Sequence, residues 1–230
     1  MDIRILQLIE GAKRASGLTV IIDVFRAFTV EAYLVNNGAE RIYPVGDKGI
    51  AYRLKEQNPS LILIGERDGV MLPGFDYGNS PSQIEKVDFS GKTVIHTTSA
   101  GTQGIANATG AEEIITGSLV NAKAIARYIK NSGYGDISLV CMGLNAKRPI
   151  EEDTLCANYI KSLLEGSPLE LAPEIEKLKA TSGAKFFDPE QQSVFPQRDF
   201  YLCTRPNIFN FVLRLVKNGK GLDYIEKTEI

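Results

Sequence analysis

The sequence predicts an α/β fold with three layers, in which a sheet lies between helices. Two observations lead to this prediction. Apolar, β-branched runs such as residues 18–24 are continuous rather than alternating, as in strands that are covered on both faces. A Gly-Ala-Glu signature also occurs twice, at Gly38–Glu40 and Gly110–Glu112, each time inside a strand–helix–strand–helix–strand unit. Repetition of a whole unit indicates an internal duplication.

The first unit covers about residues 18–65, and local signals mark its elements. Asn37-Gly38 closes the first helix, because glycine accepts the left-handed conformation that ends helices. Asp47 can cap the second helix, which Asn58-Pro59 stops. The predicted order is a strand ending at Asp23, a helix at 28–37, a strand at 41–45, a helix from the Asp47 cap to Gln57, and a strand at 61–64.

The second unit covers about residues 92–143 and repeats this order. Its strands are predicted near 93–97, 113–116 and 137–142, with a helix at 121–131 and a further helix at about 151–165. Between the units, residues 65–91 carry several glycines and prolines with little periodicity, and a loop of that length is usually functional or disordered.

The region from about residue 166 is less regular. Short helices are predicted over 168–200, and one more apolar stretch follows at 209–216. We therefore predict a single α/β domain over residues 1–230, built from two similar halves with this C-terminal region attached.

Composition limits the classes of function. The 230 residues carry a net charge of −2, and the charges are scattered without a basic stripe, which argues against a nucleic-acid partner. The three cysteines form no CxxC pair, which indicates reduced thiols in a cytoplasmic protein. The N-terminal apolar run is too short and interrupted for a signal peptide or a membrane span. The oligomeric state stays open, a homo-oligomer included.

Chemistry-bearing side chains follow corresponding strands of the two units. Asp23 and Arg26 come directly after the first strand, where ligands bind in open α/β sheets. A carboxylate there can hold a hard cation, and a guanidinium can hold an oxyanion in a fork. Residues 97–102, rich in hydroxyls and glycine, occupy the equivalent place in the second unit. The same residue types also cap helices, so both readings stay open.

Several alternative catalytic patterns can be tested on the sequence. A haloacid-dehalogenase phosphatase needs Asp-x-Asp, but Phe25 stands two residues after Asp23. A cysteine phosphatase needs Cys-x5-Arg, and from Cys141 that position holds Lys147, which leaves a covalent mechanism as an alternative. The single histidine, His96, lies in a predicted strand and is interpreted as buried, so a histidine metal cluster or a Ser-His-Asp triad is not supported.

Seven segments in this order resemble the 2-phosphosulfolactate phosphatase family. The resemblance implies a three-layer α/β fold and an Mg²⁺-dependent hydrolysis of 2-phospho-3-sulfolactate to 3-sulfolactate and phosphate, a step in coenzyme M biosynthesis. The segments span about residues 18–160: DVFRAFT (23–29), NNGAERIYPV (36–45), GERDG (65–69), GFDYGNSP (74–81), HTTSAGT (96–102), GSLVNA (117–122) and EEDTLCA (151–157).

The resemblance, together with the strand-end argument, gives each candidate residue a role. Asp23, Arg26 and Glu66 are the expected catalytic residues, and Asp23, Glu66 and Asp153 are the expected Mg²⁺ ligands. A rival interpretation is a non-catalytic binding protein for a small anionic metabolite, although clustered carboxylates would repel an anion without a cation between them. The expected substrate-binding residues are Thr97, Thr98, Gly101, Thr102, Asn79, Ser80 and Arg67.

Overall fold

The computed structural model describes residues 1–219 and 221–230, and its strands form one mixed sheet. The spatial order of the strands is β1-β8-β2-β7-β9-β10-β3-β6-β4-β5. In chain order they are β1 (Asp2–Gln7), β2 (Gly17–Ile22), β3 (Arg41–Pro44), β4 (Ile62–Arg67), β5 (Val70–Met71), β6 (Thr93–Thr97), β7 (Ala111–Gly117), β8 (Asp136–Cys141), β9 (Phe211–Val216) and β10 (Tyr224–Glu229).

Helices cover both faces of this sheet. Every residue of β2 is buried; Ile21 packs into the apolar cluster that includes α2 and α5, whereas Val20 and Ile22 pack into the cluster that includes α6 and α7. The predicted three-layer α/β/α fold is therefore confirmed. The helices are α1 (Leu8–Lys13), α2 (Ala27–Asn36), α3 (Lys48–Gln57), α4 (Pro81–Ile84), α5 (Gly101–Asn107), α6 (Ala122–Ser132), α7 (Glu151–Leu164), α8 (Leu171–Leu178) and α9 (Gln197–Cys203).

The two sequence units exchange strands in the sheet. Strand β2 of the first unit lies between β7 and β8 of the second, and β6 of the second lies between β3 and β4 of the first, all in parallel. The antiparallel hairpin β9-β10 separates these two groups. Two copies of one unit related by a two-fold axis would give this pattern, and the duplication itself stays a prediction.

The ends of β2 and β6 meet, although five strand-to-strand steps separate the two strands in the sheet. The segments that follow the two strands touch at Gly101. A Cβ atom added to Gly101 would lie 3.0 Å from Asp23 Oδ2 and 2.9 Å from Ala27 Cβ. Glycine at position 101 thus lets α5 begin directly against the carboxylate of Asp23.

The long loop and the C-terminal region contain the largest differences from the predicted elements. Strand β4 continues to Arg67 and turns back into β5, and α4 forms within the predicted loop. Beyond α8, two short 3-10 helices (Ala184–Phe187 and Pro189–Gln191) precede α9. The apolar stretch at 209–216 is β9, which enters the middle of the sheet. No helix of the described residues is long and apolar enough to cross a membrane.

Candidate active site

The loops after β2, β4, β6 and β8 surround one cavity of about 230 Å³. The cavity therefore lies at the carboxyl ends of parallel strands, where open α/β sheets bind ligands. Four of the residues expected to be functional line it: Asp23, Arg26, Glu66 and Asn79. The remaining wall comes from Phe25, Asp68, Gly69, Ser99, Ala100, Gly143, Leu144, Asn145, Ile150, Lys185 and Phe195.

Two buried carboxylates form the acidic side of the cavity. Asp23 Oδ1 accepts a hydrogen bond from the Ala27 N–H at 3.2 Å. Glu66 Oε1 accepts from the Ser99 N–H at 2.6 Å, and Glu66 Oε2 accepts from the Gly69 N–H at 2.7 Å and from the Ser99 hydroxyl at 3.1 Å. Glu66 thus ties the loop after β4 to the loop after β6 and is held in place by both.

The pKa of Asp23 reflects its burial and the nearby carboxylate of Glu66. The pKa of the Asp23 carboxyl is raised to about 6, chiefly by burial; the N–H of Ala27 opposes the shift, and the neighbouring Glu66 carboxylate adds to it. A raised pKa beside a second carboxylate means that the negative charge of this pair is poorly compensated by the protein alone. A bound cation would supply that compensation.

Arg26 forms the basic side of the cavity, and its guanidinium pairs with the buried carboxylate of Asp199. Its Nη1 atom donates to Asp199 Oδ2 at 2.7 Å and to the Val194 carbonyl at 2.9 Å, and its guanidinium lies 5.0 Å from the centre of the Phe195 ring. The Arg26 and Asp199 side chains are only 4 % and 0 % exposed. Asp199 therefore holds the guanidinium at the cavity wall, and the sequence analysis did not single this aspartate out.

Lys185 is a second cation at the cavity that the sequence analysis missed. Its ammonium lies 4.8 Å from the centre of the Phe195 ring and has no hydrogen-bond acceptor within the described part of the chain. Burial lowers the pKa of Lys185, and the carboxylate of Glu152 opposes that shift. The residue lies in a 3-10 helix of the irregular region, where its only sequence signal is a basic residue beside aromatic ones.

The hydroxyl-rich loop after β6 (residues 97–102) reaches the cavity through Ser99 and Ala100 rather than through its threonines. Thr98 and Thr102 hydrogen-bond to each other's backbone N–H groups, at 3.2 Å and 3.1 Å, at the start of α5. The Thr97 hydroxyl accepts from Arg67 Nη2 at 2.9 Å. Gly101 packs against Asp23 as described above. The three threonine side chains thus hold the loop in shape, and their predicted contact with substrate stays a prediction.

Two further predicted residues, Arg67 and Ser80, also make structural contacts. Arg67 donates to the carbonyl oxygens of Glu66 and Gly46 in addition to the Thr97 hydroxyl. These contacts use its guanidinium, which does not line the cavity. The Ser80 hydroxyl donates to Asp199 Oδ1 at 2.9 Å. Neither Arg67 nor Ser80 lines the cavity, whereas their neighbours Glu66 and Asn79 do.

Asp153 fastens two strand ends rather than lining the cavity. Its Oδ1 and Oδ2 atoms accept from the N–H groups of Val24 and Gly143, each at 2.8 Å. Burial, and then the charges of Asp23 and Glu152, raise the pKa of Asp153 well above its usual range. Of the three predicted metal ligands, Asp23 and Glu66 are therefore the ones that face the cavity, and a ligand role for Asp153 stays a prediction.

The donor set fits Mg²⁺ through these two carboxylates. No group of three or more His, Cys, Asp or Glu side chains gathers as a metal site in the described residues. Mg²⁺ does not need such a group, because it is usually held by one or two carboxylates together with waters and substrate phosphate.

Cys141 lies at the end of β8 and is fully buried. Burial, and then the charge of Asp153, raise the pKa of its thiol well above the ordinary value, so the thiol stays protonated and is a poor nucleophile. It does not line the cavity. These contacts do not favour the alternative of a cysteine-dependent phosphatase.

We expect the Cys141→Ser variant to keep most of the phosphate release that the resemblance implies, because Cys141 does not line the cavity. The measurement is steady-state phosphate release, with the melting temperature recorded to detect loss of folded protein. Complete loss of turnover in a folded variant, together with a phosphocysteine detected by mass spectrometry in the unmodified protein, would restore the covalent alternative.

Comparison with known proteins decides the family. The sequence model of the 2-phosphosulpholactate phosphatase family matches residues 3–218. The chain belongs to this family. A probable 2-phosphosulfolactate phosphatase of Bacillus subtilis (strain 168) is 33 % identical over 223 residues, which cover 96 % of each chain. Proteins with the same description from Thermotoga petrophila and Carboxydothermus hydrogenoformans are each 39 % identical, over 87 % and 76 % of this chain and 89 % and 72 % of their own.

The match to the 2-phosphosulfolactate phosphatase family model extends beyond the motifs quoted above. The matched residues run past 165 and include the segment that carries Lys185, Phe195 and Asp199. These three residues therefore lie within the matched length, together with the motif residues of the cavity, even though no short motif marks them.

Proposed function

We propose that the chain hydrolyses 2-phospho-3-sulfolactate to 3-sulfolactate and inorganic phosphate in a reaction that depends on Mg²⁺. The observation that carries this proposal is the charge arrangement of one small cavity, where the carboxylates of Asp23 and Glu66 face the cations of Arg26 and Lys185. Carboxylates alone would repel a phosphate ester, so a divalent cation between them completes the site. Family membership and the descriptions of the relatives support the substrate.

Asp23 and Glu66 would hold the magnesium ion. The ion would supply Lewis-acid polarisation of a phosphoryl oxygen and a lowered pKa for a bound water. Hydrogen bonds from Ser99 and Gly69 fix Glu66, and the N–H of Ala27 fixes Asp23, so both carboxylates are oriented before substrate arrives. Such preorganisation lowers the cost of reaching the transition state.

Arg26 and Lys185 would bind the anionic oxygens of the substrate. The guanidinium is held at the wall by Asp199, and the Lys185 ammonium is free to contact an oxyanion. Phe195 lies against both cations and shields them from water, which strengthens their attraction for anions. In the net reaction a water oxygen bonds to phosphorus, the ester P–O bond breaks, and a proton goes to the 2-oxygen of sulfolactate.

A direct assay tests this function. Phosphate release is measured from 2-phospho-3-sulfolactate and from 2-phospholactate, which lacks the sulfonate, with Mg²⁺ and with excess chelator. We expect release from the sulfonate in Mg²⁺, loss in chelator, and recovery when Mg²⁺ is restored. Full activity in excess chelator would contradict the metal dependence. Tight binding of the sulfonate without turnover would replace hydrolysis by the non-catalytic binding of an anion.

We expect the Lys185→Met variant to raise the KM for the substrate by roughly ten- to a hundredfold, because it loses one charge-assisted contact with the anion. Methionine keeps the contact with the Phe195 ring and removes a partly buried charge, so the melting temperature should not fall. The matched control is Lys179→Met, since Lys179 lies 5.7 Å from the Tyr201 ring but outside the cavity. An unchanged KM in Lys185→Met would remove Lys185 from the substrate site.

We include a cytoplasmic location in the proposal. The three cysteines are free and buried, as expected for a protein in a reducing compartment. A link to coenzyme M biosynthesis and the formation of a homo-oligomer stay predictions from the sequence.

A further inference from the structure

The single histidine of the chain lies in a buried hydrogen-bonded row that ends at the cavity. His96 Nδ1 is 2.9 Å from Glu31 Oε1, and His96 Nε2 is 3.3 Å from Asn79 Oδ1. The Thr116 hydroxyl donates to the other oxygen of Glu31 at 3.2 Å. His96, Glu31 and Thr116 are fully buried, whereas Asn79 lines the cavity. The row therefore connects α2, β6 and the loop before α4.

The partners of the imidazole fix its protons. A carboxylate oxygen can only accept, so Nδ1 carries a proton that it donates to Glu31. The structure has the amide oxygen of Asn79 towards Nε2, and because this oxygen can only accept, the arrangement matches a proton on Nε2. If both nitrogens carry protons, the ring is a cation, and the buried carboxylate of Glu31 is the partner that would balance its charge.

The orientation of the Asn79 amide and the proton on Nε2 depend on each other. With its Oδ1 atom held by His96, the NH₂ end of the amide is turned away from the row, and it has no acceptor among the described residues. A neutral ring would have an unprotonated Nε2, which would accept from the Asn79 NH₂ and leave Oδ1 facing the cavity instead. With the doubly protonated ring, the NH₂ donor of Asn79 faces the cavity. With the neutral ring, the Oδ1 acceptor faces it instead.

We propose that Glu31 and His96 are positioning residues that hold Asn79 with its NH₂ group towards the cavity, where it donates to an anionic oxygen of the substrate. This inference rests on the proposed function for the identity of the anion, but not for the orientation of the amide. An NH₂ donor complements Arg26 and Lys185 at an anion site, whereas an amide oxygen there would repel the same anion.

Nitrogen NMR tests the orientation without a substrate. Because the chain contains one histidine, selective ¹⁵N-histidine labelling gives the signals of one imidazole. We expect both ring nitrogens of the native protein at neutral pH to show the shifts and couplings of N–H groups. A signal from an unprotonated Nε2 would overturn the proposal, whatever the protein hydrolyses. The same spectrum of Glu31→Gln should show the loss of one ring proton.

Kinetics test the action through Asn79. We expect Glu31→Gln and Asn79→Ala each to raise the KM for 2-phospho-3-sulfolactate by roughly tenfold, with a smaller change in kcat. In the Asn79→Ala background, Glu31→Gln should have no further effect on KM, because its target is gone. Additive increases in the double variant would show that Glu31 acts by another route and would overturn the proposal.

The matched control is Thr116→Val, which removes the other hydrogen bond to Glu31 and leaves His96 in place. It should lower the melting temperature while the KM stays within twofold of the native value. A KM increase equal to that of Glu31→Gln would indicate a general loosening of the core, and would contradict a specific role for the His96 contact. If no substrate turns over, the proposed function fails while the NMR result still decides the orientation.

Discussion

Replacing Asp23 with asparagine is expected to lower phosphate release by about a hundred- to a thousandfold, the cost of losing one preorganised electrostatic group at a reacting centre. Asparagine can still accept the N–H of Ala27 at this position, so the local backbone should be kept. The loss of the carboxylate should also weaken Mg²⁺ binding, which isothermal calorimetry measures separately from turnover. Near-native turnover at saturating Mg²⁺ would remove Asp23 from the catalytic site.

The same variant should be more stable than the native protein in the absence of metal. The folded-state pKa of Asp23, about 6, lies above its ordinary value, so the folded protein binds an extra proton between about pH 4 and pH 6. Stability contributed by that proton is lost as the pH rises through 6. Asparagine does not titrate, so the Asp23→Asn variant avoids this loss of stability. In chelator at pH 8, the melting temperature of the variant should exceed that of the native protein by about 2–4 °C for each kcal/mol of unfolding free energy gained. The difference should shrink towards pH 4.

Replacing Asp199 with alanine is expected to destabilise the protein by about 3–5 kcal/mol, because it leaves the buried guanidinium of Arg26 without its counter-charge. The change also removes the acceptor of the Ser80 hydroxyl and of the Ser82 N–H, both at 2.9 Å. For a chain of this length, the fall in melting temperature should be about 6–20 °C. Turnover of the remaining folded protein should fall as well, since Arg26 loses its orientation.

A second ion pair of equal length provides the control. Lys177 and Glu174 are also 2.7 Å apart, but their side chains are 68 % and 37 % exposed. Glu174→Ala should change the unfolding free energy by less than about 1 kcal/mol, because solvent screens exposed pairs. The double variant Arg26→Met, Asp199→Ala should be more stable than Asp199→Ala alone. Equal effects of Asp199→Ala and Glu174→Ala would contradict the buried-pair account.

The sequence predicted the parts of the fold and of the site that local patterns encode. The continuous apolar run of β2 indicated a strand covered on both faces, and the position of Asp23 directly after it indicated the cavity edge. The Asp47 cap of α3 is also as predicted, since its carboxylate accepts from the Gly49 N–H at 2.8 Å. Such signals lie within a few residues of the feature that they predict.

Contacts between distant segments could not be predicted in this way. The Arg26–Asp199 pair joins positions 173 residues apart, and neither residue carries a pattern that indicates the other. Strand β10 has a single buried residue, Ile225, so its pairing beside β3 left no apolar signal. The threonines Thr98 and Thr102 have the composition of an anion loop, yet their hydroxyls are used by the backbone at the start of α5.

The central claim is that Asp23 and Glu66 hold the metal ion at which the phosphate ester is hydrolysed. Crystals grown with Mn²⁺ in place of Mg²⁺, together with 3-sulfolactate and phosphate, test it most directly through the anomalous scattering of manganese. We predict one strong anomalous peak within bonding distance of both carboxylates, with a product oxyanion between that peak and Arg26. A manganese peak at other side chains, with the carboxylates of Asp23 and Glu66 not bound to metal, would contradict the account.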